Sequence, residues 1–285
     1  MQTVPALYDS QYFLDLESEY SAHNYHPLPV VLTRGEGVFL WDVEGKRYYD
    51  FLSGYSAVNQ GHCHPRIVEA LTEQASKLTL TSRAFFSDLL GEYARFITRF
   101  FGYDKVLPMN SGAEAVETAI KLTRHWAYRV KKIPENQAQI IVCENNFHGR
   151  TTTIISFSSD PAAHTDFGPL TPGFIKIPYN DVDALRKVLE SNKNIAGFLV
   201  EPIQGEAGVV VPDEGYLKAA SDLCKQFNVL FVADEIQTGL CRTGKMLACD
   251  HEEVRPDIVI LGKALSGGML PVSAVLADDE IMLTL

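Results

Sequence analysis

Five short apolar runs, separated by stretches with helical spacing, constrain most strongly how this chain can fold. The runs are KVLPM (105–109), QIIVCE (139–144), AGFLVEP (196–202), VLFVADE (229–235) and DIVILG (257–262). Most of them are apolar throughout, which is typical of parallel strands that are covered on both faces. The stretches that begin at Ala113 and Gly215 place apolar residues on one helical face. This alternation predicts an α/β fold with a mostly parallel central sheet flanked by helices.

Each apolar run ends in a polar or glycine-rich cluster. The clusters are NSGAE (110–114), NNFHGR (145–150), EPIQGE (201–206), DEIQTG (234–239) and GKALSGG (262–268). In an open parallel sheet, ligands bind outside the carboxyl ends of the strands. We therefore expect the five clusters to meet in one crevice.

Composition and length limit the classes of function. With 285 residues, of which 46% are hydrophobic, the chain can bury a substantial core. Its net charge of -11 argues against nucleic acid or an anionic membrane surface as the main partner. No stretch has the uninterrupted apolar length of a membrane span. The odd count of five cysteines and an acidic N-terminal stretch, unlike a signal or transit peptide, predict a cytoplasmic protein.

The pattern before the α/β region differs from the rest. Residues 1–50 are predicted to form an N-terminal arm and a β-hairpin, with aromatic runs on both sides of a turn at 43–46. Residues 51–285 are predicted to form the large α/β domain.

The cluster NSGAE allows two interpretations. Ser111 and Glu114 have the spacing of a capping box at the start of a helix. The N–H groups of Gly112 and Ala113, the Ser111 hydroxyl and the helix dipole could instead bind a phosphate. The two interpretations compete for some of the same donors, and this segment alone favours the plain cap.

Asp234 and Lys263 end neighbouring runs and suggest a cofactor site. A carboxylate at the end of an apolar run is partly buried, so it needs an arginine, a helix start or a protonated heterocyclic nitrogen as its partner. A lone lysine such as Lys263 usually reaches water, but burial would lower its pKa and free the amine to react with an aldehyde. An acid, a lysine and a phosphate-binding turn on neighbouring strand ends match pyridoxal phosphate. Phe147 and Ile236 could pack on the two faces of its ring.

Three further motifs are expected not to bind ligands. GLCRTGKM (239–246) nearly matches a phosphate-binding P-loop, but Met246 stands where a Ser or Thr should bind magnesium. GHCHP (61–65) lacks a second ligand pair at zinc spacing, so we expect a loop and no metal. Gly35 and Gly37 lack the third glycine of a dinucleotide fingerprint.

With these residues assembled, the chain resembles the class III pyridoxal-phosphate aminotransferases of fold type I. ADEIQTG (233–239) together with GKALSGG (262–268) is characteristic of the class. HNYHPLPV (23–30) and GYSAVNQGHCHP (54–65) are similar to the members that act on ornithine. The resemblance extends over nearly the whole chain.

The resemblance implies a cofactor role for most of the residues considered above. Lys263 would hold the cofactor aldehyde, Asp234 would pair with the pyridine nitrogen, and Gln237 would contact the ring hydroxyl. Lys263 and Asp234 would be the catalytic pair. The implied cofactor-binding set is Ser111, Gly112, Ala113, Phe147, Asp234, Ile236, Gln237 and Lys263.

The resemblance also implies the substrates. Tyr25 and Arg150 would hold the α-amino and α-carboxylate groups of L-ornithine, Tyr55 would line the pocket, and Glu206 would switch between substrates. A guanidinium suits a carboxylate because the two form a bidentate pair, although Arg150 could equally form a surface salt bridge. The implied reaction moves the δ-amino group of L-ornithine to 2-oxoglutarate, giving L-glutamate 5-semialdehyde and L-glutamate, in a homodimer.

The chain departs from the family pattern at its end. Members normally continue past DDEIMLTL (278–285) into a phosphate-binding Ser-Thr segment and a C-terminal small domain. The arginine that pairs with Glu206 is missing with them. Two alternatives therefore stay open: an inactive fragment that only binds the cofactor or a partner chain, and a related class III enzyme acting on acetylornithine or 4-aminobutyrate.

Overall fold

A computed structural model describes residues 8–285, which divide into two compact units. The first unit comprises the described residues up to Gly54 together with Gln60–Thr79. The second comprises Tyr55–Asn59 and Leu80–Leu285. The sheet that was predicted from the five apolar runs belongs to the second unit.

The first unit contains a small antiparallel sheet and two longer helices. Its elements are α1 (Ser10–Tyr20), β1 (Leu32–Glu36), β2 (Phe39–Asp42), β3 (Arg47–Tyr49), the short α2 (Ser53–Ser56), which continues into the second unit, and α3 (Pro65–Lys77). The predicted hairpin is confirmed, because β2 pairs with β3 and Phe39 lies opposite Tyr49. The GHCHP segment is a loop, in which the His62 backbone pairs with Gly37 and the His62 Nε2 lies 2.6 Å from an oxygen of Asp50.

The second unit is built on a seven-stranded mixed sheet. Its strands are β4 (Lys105–Met109), β5 (Gln139–Cys143), β6 (Phe174–Ile177), β7 (Ile195–Val200), β8 (Leu230–Asp234), β9 (Ile258–Leu261) and β10 (Ser273–Ala277). Their order across the sheet is β4-β10-β9-β8-β7-β5-β6. All neighbouring pairs are parallel except those of β10, which is antiparallel to both β4 and β9. The predicted α/β fold is confirmed, and the five predicted strands are joined by two more.

Helices cover both faces of this sheet. They are α4 (Asp88–Phe101), α5 (Gly112–Trp126), α6 (Thr152–Ile155), α7 (Pro161–His164), α8 (Val182–Ser191), α9 (Tyr216–Gln226) and α10 (Asp279–Met282). One core cluster joins α5 to one face of the strands, and another joins α8 and α9 to the opposite face. Because neighbouring strand residues point to opposite faces, both sets of strand side chains are buried, and the runs are apolar throughout.

Two structural findings concern the motifs that were predicted not to bind ligands, and a third concerns membrane spans. Residues 239–246 form turns and bends rather than the strand–loop–helix unit of a P-loop. Within residues 8–285, no group of three or more His, Cys, Asp or Glu side chains could hold a metal ion. None of the described helices combines the length and apolar character needed to cross a membrane.

Candidate functional site

A cavity of about 200 Å³ lies at the carboxyl ends of the strands. Residues from all five predicted clusters line it. The strand register explains this for β4 and β9, which both pair with β10. Met109 at the end of β4 lies opposite Ser273, and Leu261 at the end of β9 lies opposite the next residue, Ala274, so the two strands end at the same edge of the sheet. Seven of the eight residues predicted to bind the cofactor line the cavity, the exception being Ser111, and Glu206 lines it as well. The expected crevice is therefore present.

Ser111 begins α5 with a complete capping box. Its hydroxyl accepts a hydrogen bond from the N–H of Glu114 (3.3 Å), and the Glu114 carboxylate accepts one from the N–H of Ser111 (2.7 Å). The N–H groups of Gly112 and Ala113 take no part in the box and point from the first turn of the helix without intrahelical partners. The cap and an anion site therefore coexist, because they use different donors.

Asp234 ends β8 and is only 4% exposed. One carboxylate oxygen accepts a hydrogen bond from the N–H of Ile236 (3.1 Å). The other lies 2.6 Å from Nδ1 of His148, whose side chain is fully buried. The partner of Asp234 in the chain is thus a histidine, and each oxygen keeps a further lone pair for a ligand.

His148 was not identified from the sequence as a site residue. Burial by itself lowers the pKa of His148, but the hydrogen bond to Asp234 and the charges of Asp234 and Glu201 outweigh it and raise the pKa above its ordinary value. A protonated imidazole donates from both nitrogens. Nδ1 donates to Asp234, and the buried Nε2 has no hydrogen-bond partner within residues 8–285.

Lys263 follows β9 and begins a short 3₁₀ turn, Lys263–Ser266. Its φ of +41° lies in the left-handed region, which is uncommon for a residue other than glycine. Burial lowers the pKa of Lys263, although the charges of Asp234, Glu206 and Glu201 act in the opposite direction. Lys263 lines the cavity and is only partly exposed. Its lowered pKa increases the share of the neutral amine, which is the form that attacks an aldehyde.

Two glycines make room for Ile236 in the cavity wall. A Cβ at position 112 would lie 2.9 Å from Cδ1 of Ile236, and one at position 262 would lie 3.2 Å from its Cγ2. A larger residue at either position would have to displace the Ile236 side chain. Gly112 and Gly262 thus leave room for the Ile236 side chain in the cavity wall.

Gln237 lies directly against the backbone of Gly205. A Cβ at position 205 would lie 1.4 Å from the side-chain oxygen of Gln237, so a larger residue there would displace the Gln237 amide. Nε2 of Gln237 donates a hydrogen bond to Glu206 (3.1 Å). The partner of Glu206 in the described chain is therefore a neutral amide.

The other predicted substrate residues lie outside the cavity wall or in the first unit. Arg150 follows the wall residue Gly149, is exposed, and places its guanidinium 5.4 Å from the centre of the Phe147 ring. Tyr55 is exposed and has a φ of +56°. Tyr25 belongs to the first unit and lines a pocket there.

Glu201 is the second residue that sequence reasoning missed. It follows β7, is buried, and accepts a hydrogen bond from the N–H of Phe147 (3.0 Å). Burial raises the pKa of Glu201 to about 7, and the charge of His148 and the N–H groups of Phe147 and Gly205 only partly offset it. The sequence held a signal, because Glu201 ends its apolar run in the same way as Asp234.

The residues in the cavity fit pyridoxal phosphate. The free N–H groups of Gly112 and Ala113 suit the phosphate, because a helix start carries partial positive charge. The Asp234 carboxylate has lone pairs for a protonated ring nitrogen, and the Lys263 amine suits the aldehyde. The side chains of Phe147 and Ile236 line the same cavity and provide apolar surface for the ring.

The cofactor-free chain is expected to lose stability between about pH 4.5 and pH 7 because of Glu201. The folded-state pKa of about 7 exceeds the ordinary value of 4.5, so the folded chain holds this proton more tightly than the unfolded chain. The contribution is complete below the unfolded pKa and is lost as the pH rises through the folded pKa. Across this window, the free energy of unfolding of the natural chain relative to Glu201→Gln should fall by about 3 kcal/mol. Urea unfolding over the window measures the difference.

Glu144→Gln provides the matched control for this measurement. Glu144 follows β5 at the same edge of the sheet, but it is exposed. Its variant should show the pH dependence of the natural chain. If Glu201→Gln also kept that dependence, the titration of Glu201 would not be its source.

Comparison with known proteins gives a consistent family assignment. The family described as aminotransferase class-III matches residues 20–285. The chain is 66% identical over 267 residues to a protein named ornithine aminotransferase, mitochondrial, from Drosophila melanogaster. The matched region covers 94% of the chain but 62% of the fly protein, so the chain spans less than two thirds of that relative's length.

Solved structures of two aminotransferases also resemble the chain in both fold and sequence. Ornithine aminotransferase from Toxoplasma gondii superposes with a TM-score of 0.96 at 52% identity, covering 98% of this chain and 66% of the other. Acetylornithine aminotransferase from Elizabethkingia anophelis superposes with a TM-score of 0.88 at 65% identity and the same two coverages. The fold is therefore shared with proteins that carry two different substrate names.

The prediction of a cytoplasmic protein is wrong. The relatives from Drosophila melanogaster, Rattus norvegicus and Arabidopsis thaliana are all named as mitochondrial proteins. Cysteine content and net charge reflect what the folded domain tolerates, whereas compartment is set by short targeting segments with their own composition. A reduced, acidic domain is compatible with either compartment.

Proposed function

The chain belongs to the class-III aminotransferases, a family whose cofactor is pyridoxal phosphate, and on this premise we propose that it transfers the δ-amino group of L-ornithine to 2-oxoglutarate. The products are L-glutamate 5-semialdehyde and L-glutamate. The observation that carries the proposal is the convergence of Lys263, Asp234 and the start of α5 on one cavity, in a chain 66% identical to a protein named ornithine aminotransferase. The domain that binds the cofactor is the second unit.

When bound, pyridoxal phosphate supplies an aldehyde and an electron-accepting ring. Lys263 would hold the aldehyde, and its amine would serve as the proton donor and acceptor of the site. Its lowered pKa supports both roles, because a neutral amine is nucleophilic and a lysine that titrates closer to neutrality exchanges protons more readily.

Asp234 accepts the N–H of the pyridine ring and keeps that nitrogen protonated. The His148–Asp234 contact supports this role, because the buried imidazole fixes the orientation of the carboxylate. Phe147 and Ile236 would pack on the ring, Gln237 would donate to its hydroxyl, and the first turn of α5 would bind the phosphate.

Arg150 and Tyr25 bind the α-carboxylate and α-amino groups of L-ornithine, which leaves the δ-amine free to react. Glu206 acts as the switch between the two substrates, and Tyr55 lines the substrate pocket. The hydrogen bond between Gln237 and Glu206 supports the switch, because it ties the position of Glu206 to a residue that faces the cofactor.

We also propose that the protein acts as a homodimer. Exposed aromatic side chains on α4 support this: Phe96 is 67% exposed and Phe100 is 52% exposed. Large apolar side chains clustered on one helix are typical of surfaces that bind another chain.

The proposed reaction is tested by comparing kcat/KM for L-ornithine, N-acetyl-L-ornithine and 4-aminobutyrate, with 2-oxoglutarate as acceptor. We expect L-ornithine to exceed both by roughly tenfold or more, because a site built to bind a charged α-amino group rejects an analogue that lacks it. Acetylornithine transfer is the second candidate, since a structure with that name is 65% identical to the chain.

Each outcome of this comparison is decisive. A preference for N-acetyl-L-ornithine would assign the chain to the second candidate. Cofactor binding without turnover of any amino donor would contradict the proposed transfer and leave only the binding role.

A further inference from the structure

Two buried carboxylates, Asp234 and Glu201, line the same cavity from adjacent strands. Asp234 ends β8 and Glu201 follows β7, which pairs with β8 in parallel. They are 4% and 8% exposed. Asp234 is already paired with His148, whereas Glu201 makes its side-chain hydrogen bond to the backbone N–H of Phe147. Within residues 8–285, Asp234 thus contacts a charged side chain directly, whereas the hydrogen bond to the Glu201 side chain comes from a backbone N–H group.

The surroundings of Glu201 determine which groups respond to its charge. The titratable groups that face it or the same cavity are His148, Asp234, Lys263, Glu206, Cys143 and Tyr179. Burial raises the pKa of the Cys143 thiol and the Tyr179 hydroxyl far above neutrality, so both stay uncharged. His148 is committed to Asp234, and the Lys263 amine is the group expected to react with the cofactor. Of the groups in this set, Glu201 is therefore the one that can supply a second buried negative charge to a cationic ring beside Asp234.

Glu201 follows the strand beside that of Asp234, and the start of α5 reaches the same cavity, because a Cβ at Gly149 would lie 3.0 Å from the Cβ of Ala113. The phosphate is assigned to the start of α5, which follows β4, and β10, β9 and β8 lie between β4 and β7. The ring nitrogen is assigned to Asp234, on the strand next to β7. Glu201 thus follows the strand next to the residue that is assigned to the positive end of the cofactor.

We propose that Glu201 is a positioning residue that ionises when a cationic pyridine ring binds: its carboxylate balances the ring charge together with Asp234 and holds the backbone of Phe147 against the ring. This inference rests on the proposed function, because it takes the cavity to be the cofactor site. In the empty cavity Glu201 is largely protonated below neutral pH, in line with its pKa of about 7. A nearby cation favours the ionised form, so binding releases the Glu201 proton to solvent.

The test measures protons rather than turnover. Pyridoxamine 5'-phosphate is the probe, because it carries the ring and phosphate but no aldehyde for Lys263. Calorimetric titration in buffers of different ionisation enthalpy gives the number of protons released on binding. Near pH 6, the natural chain should release up to about one proton more than Glu201→Gln, and the difference should vanish near pH 8.5, where Glu201 is already ionised. As the pH rises, the dissociation constant for the probe should fall more for the natural chain than for Glu201→Gln.

Glu144→Gln is again the control, since Glu144 is exposed at the same sheet edge. It should release as many protons as the natural chain. A purely structural role for Glu201 would weaken binding equally at every pH, and this result would overturn the inference while leaving the proposed function intact. Failure of the natural chain to bind the probe at all would overturn both.

Discussion

Replacing Lys263 with alanine is expected to abolish amino transfer and to prevent covalent attachment of the cofactor. The side chain is the amine that lines the cavity, and its burial lowers its pKa. Loss of both the nucleophile and the proton carrier should reduce kcat by roughly 10⁴-fold or more. Borohydride reduction followed by mass spectrometry measures the attachment directly, because reduction fixes the cofactor to the lysine that holds it.

Lys245→Ala is the matched control for this experiment. Lys245 lies in the exposed turns of the segment that resembles a P-loop, and its loss should change neither attachment nor kcat. Cofactor trapped at an unchanged level in Lys263→Ala would show that another amine carries the aldehyde.

Replacing Asp234 with asparagine should have the second largest effect. The amide cannot keep a pyridine nitrogen protonated, so we expect kcat to fall by roughly 10²-fold to 10⁴-fold. The same change removes the group that keeps His148 charged, and burial alone lowers the pKa of His148. Breaking a buried charged pair by changing one partner costs about 3–5 kcal/mol. A smaller loss is expected here, because His148 can release its proton and become neutral.

Asp222→Asn separates these effects from a general loss of charge. Asp222 forms an exposed i,i+4 pair with Lys218 on α9, so its loss should leave kcat and urea unfolding nearly unchanged. Wild-type kcat in Asp234→Asn would refute the role of Asp234 at the ring nitrogen. Unchanged unfolding would indicate that the His148–Asp234 contact contributes little to stability.

The sheet was predictable where an uninterrupted apolar run is followed by a polar or glycine-rich cluster. The runs that became β4, β5, β7, β8 and β9 are each followed by a polar or glycine-rich cluster. Of the two missed strands, β6 is interrupted by the exposed Lys176, and β10 is a uniformly buried five-residue run that is antiparallel to both of its neighbours. A short apolar run cannot be assigned to a strand or a buried helix by periodicity alone. The position of β10 between β4 and β9 depends on pairing between residues more than 160 positions apart.

Individual site residues were predictable only where the neighbouring sequence made them unusual. Lys263, Asp234 and Gly112 stand out because a charge or a glycine follows an apolar run. His148 and Glu201 are equally close to such runs, but neither requires a particular partner until the strands are placed side by side. The contact of Gln237 with Gly205 likewise joins two loops, 32 positions apart in the sequence, and no local sequence pattern predicts it.

The sequence by itself determined the α/β class, the edge of the sheet that carries the chemistry and the residue types gathered there. It could do so because the spacing of apolar and polar residues that distinguishes a helix from a strand extends over only a few neighbouring positions. Only the tertiary structure decided which charges share the cavity: that Asp234 faces His148, that Glu201 lies beside them, and that the cap of α5 leaves two donors unused. Those outcomes depend on strand order and on distances of a few ångströms between distant segments, and electrostatic energies change steeply over such distances.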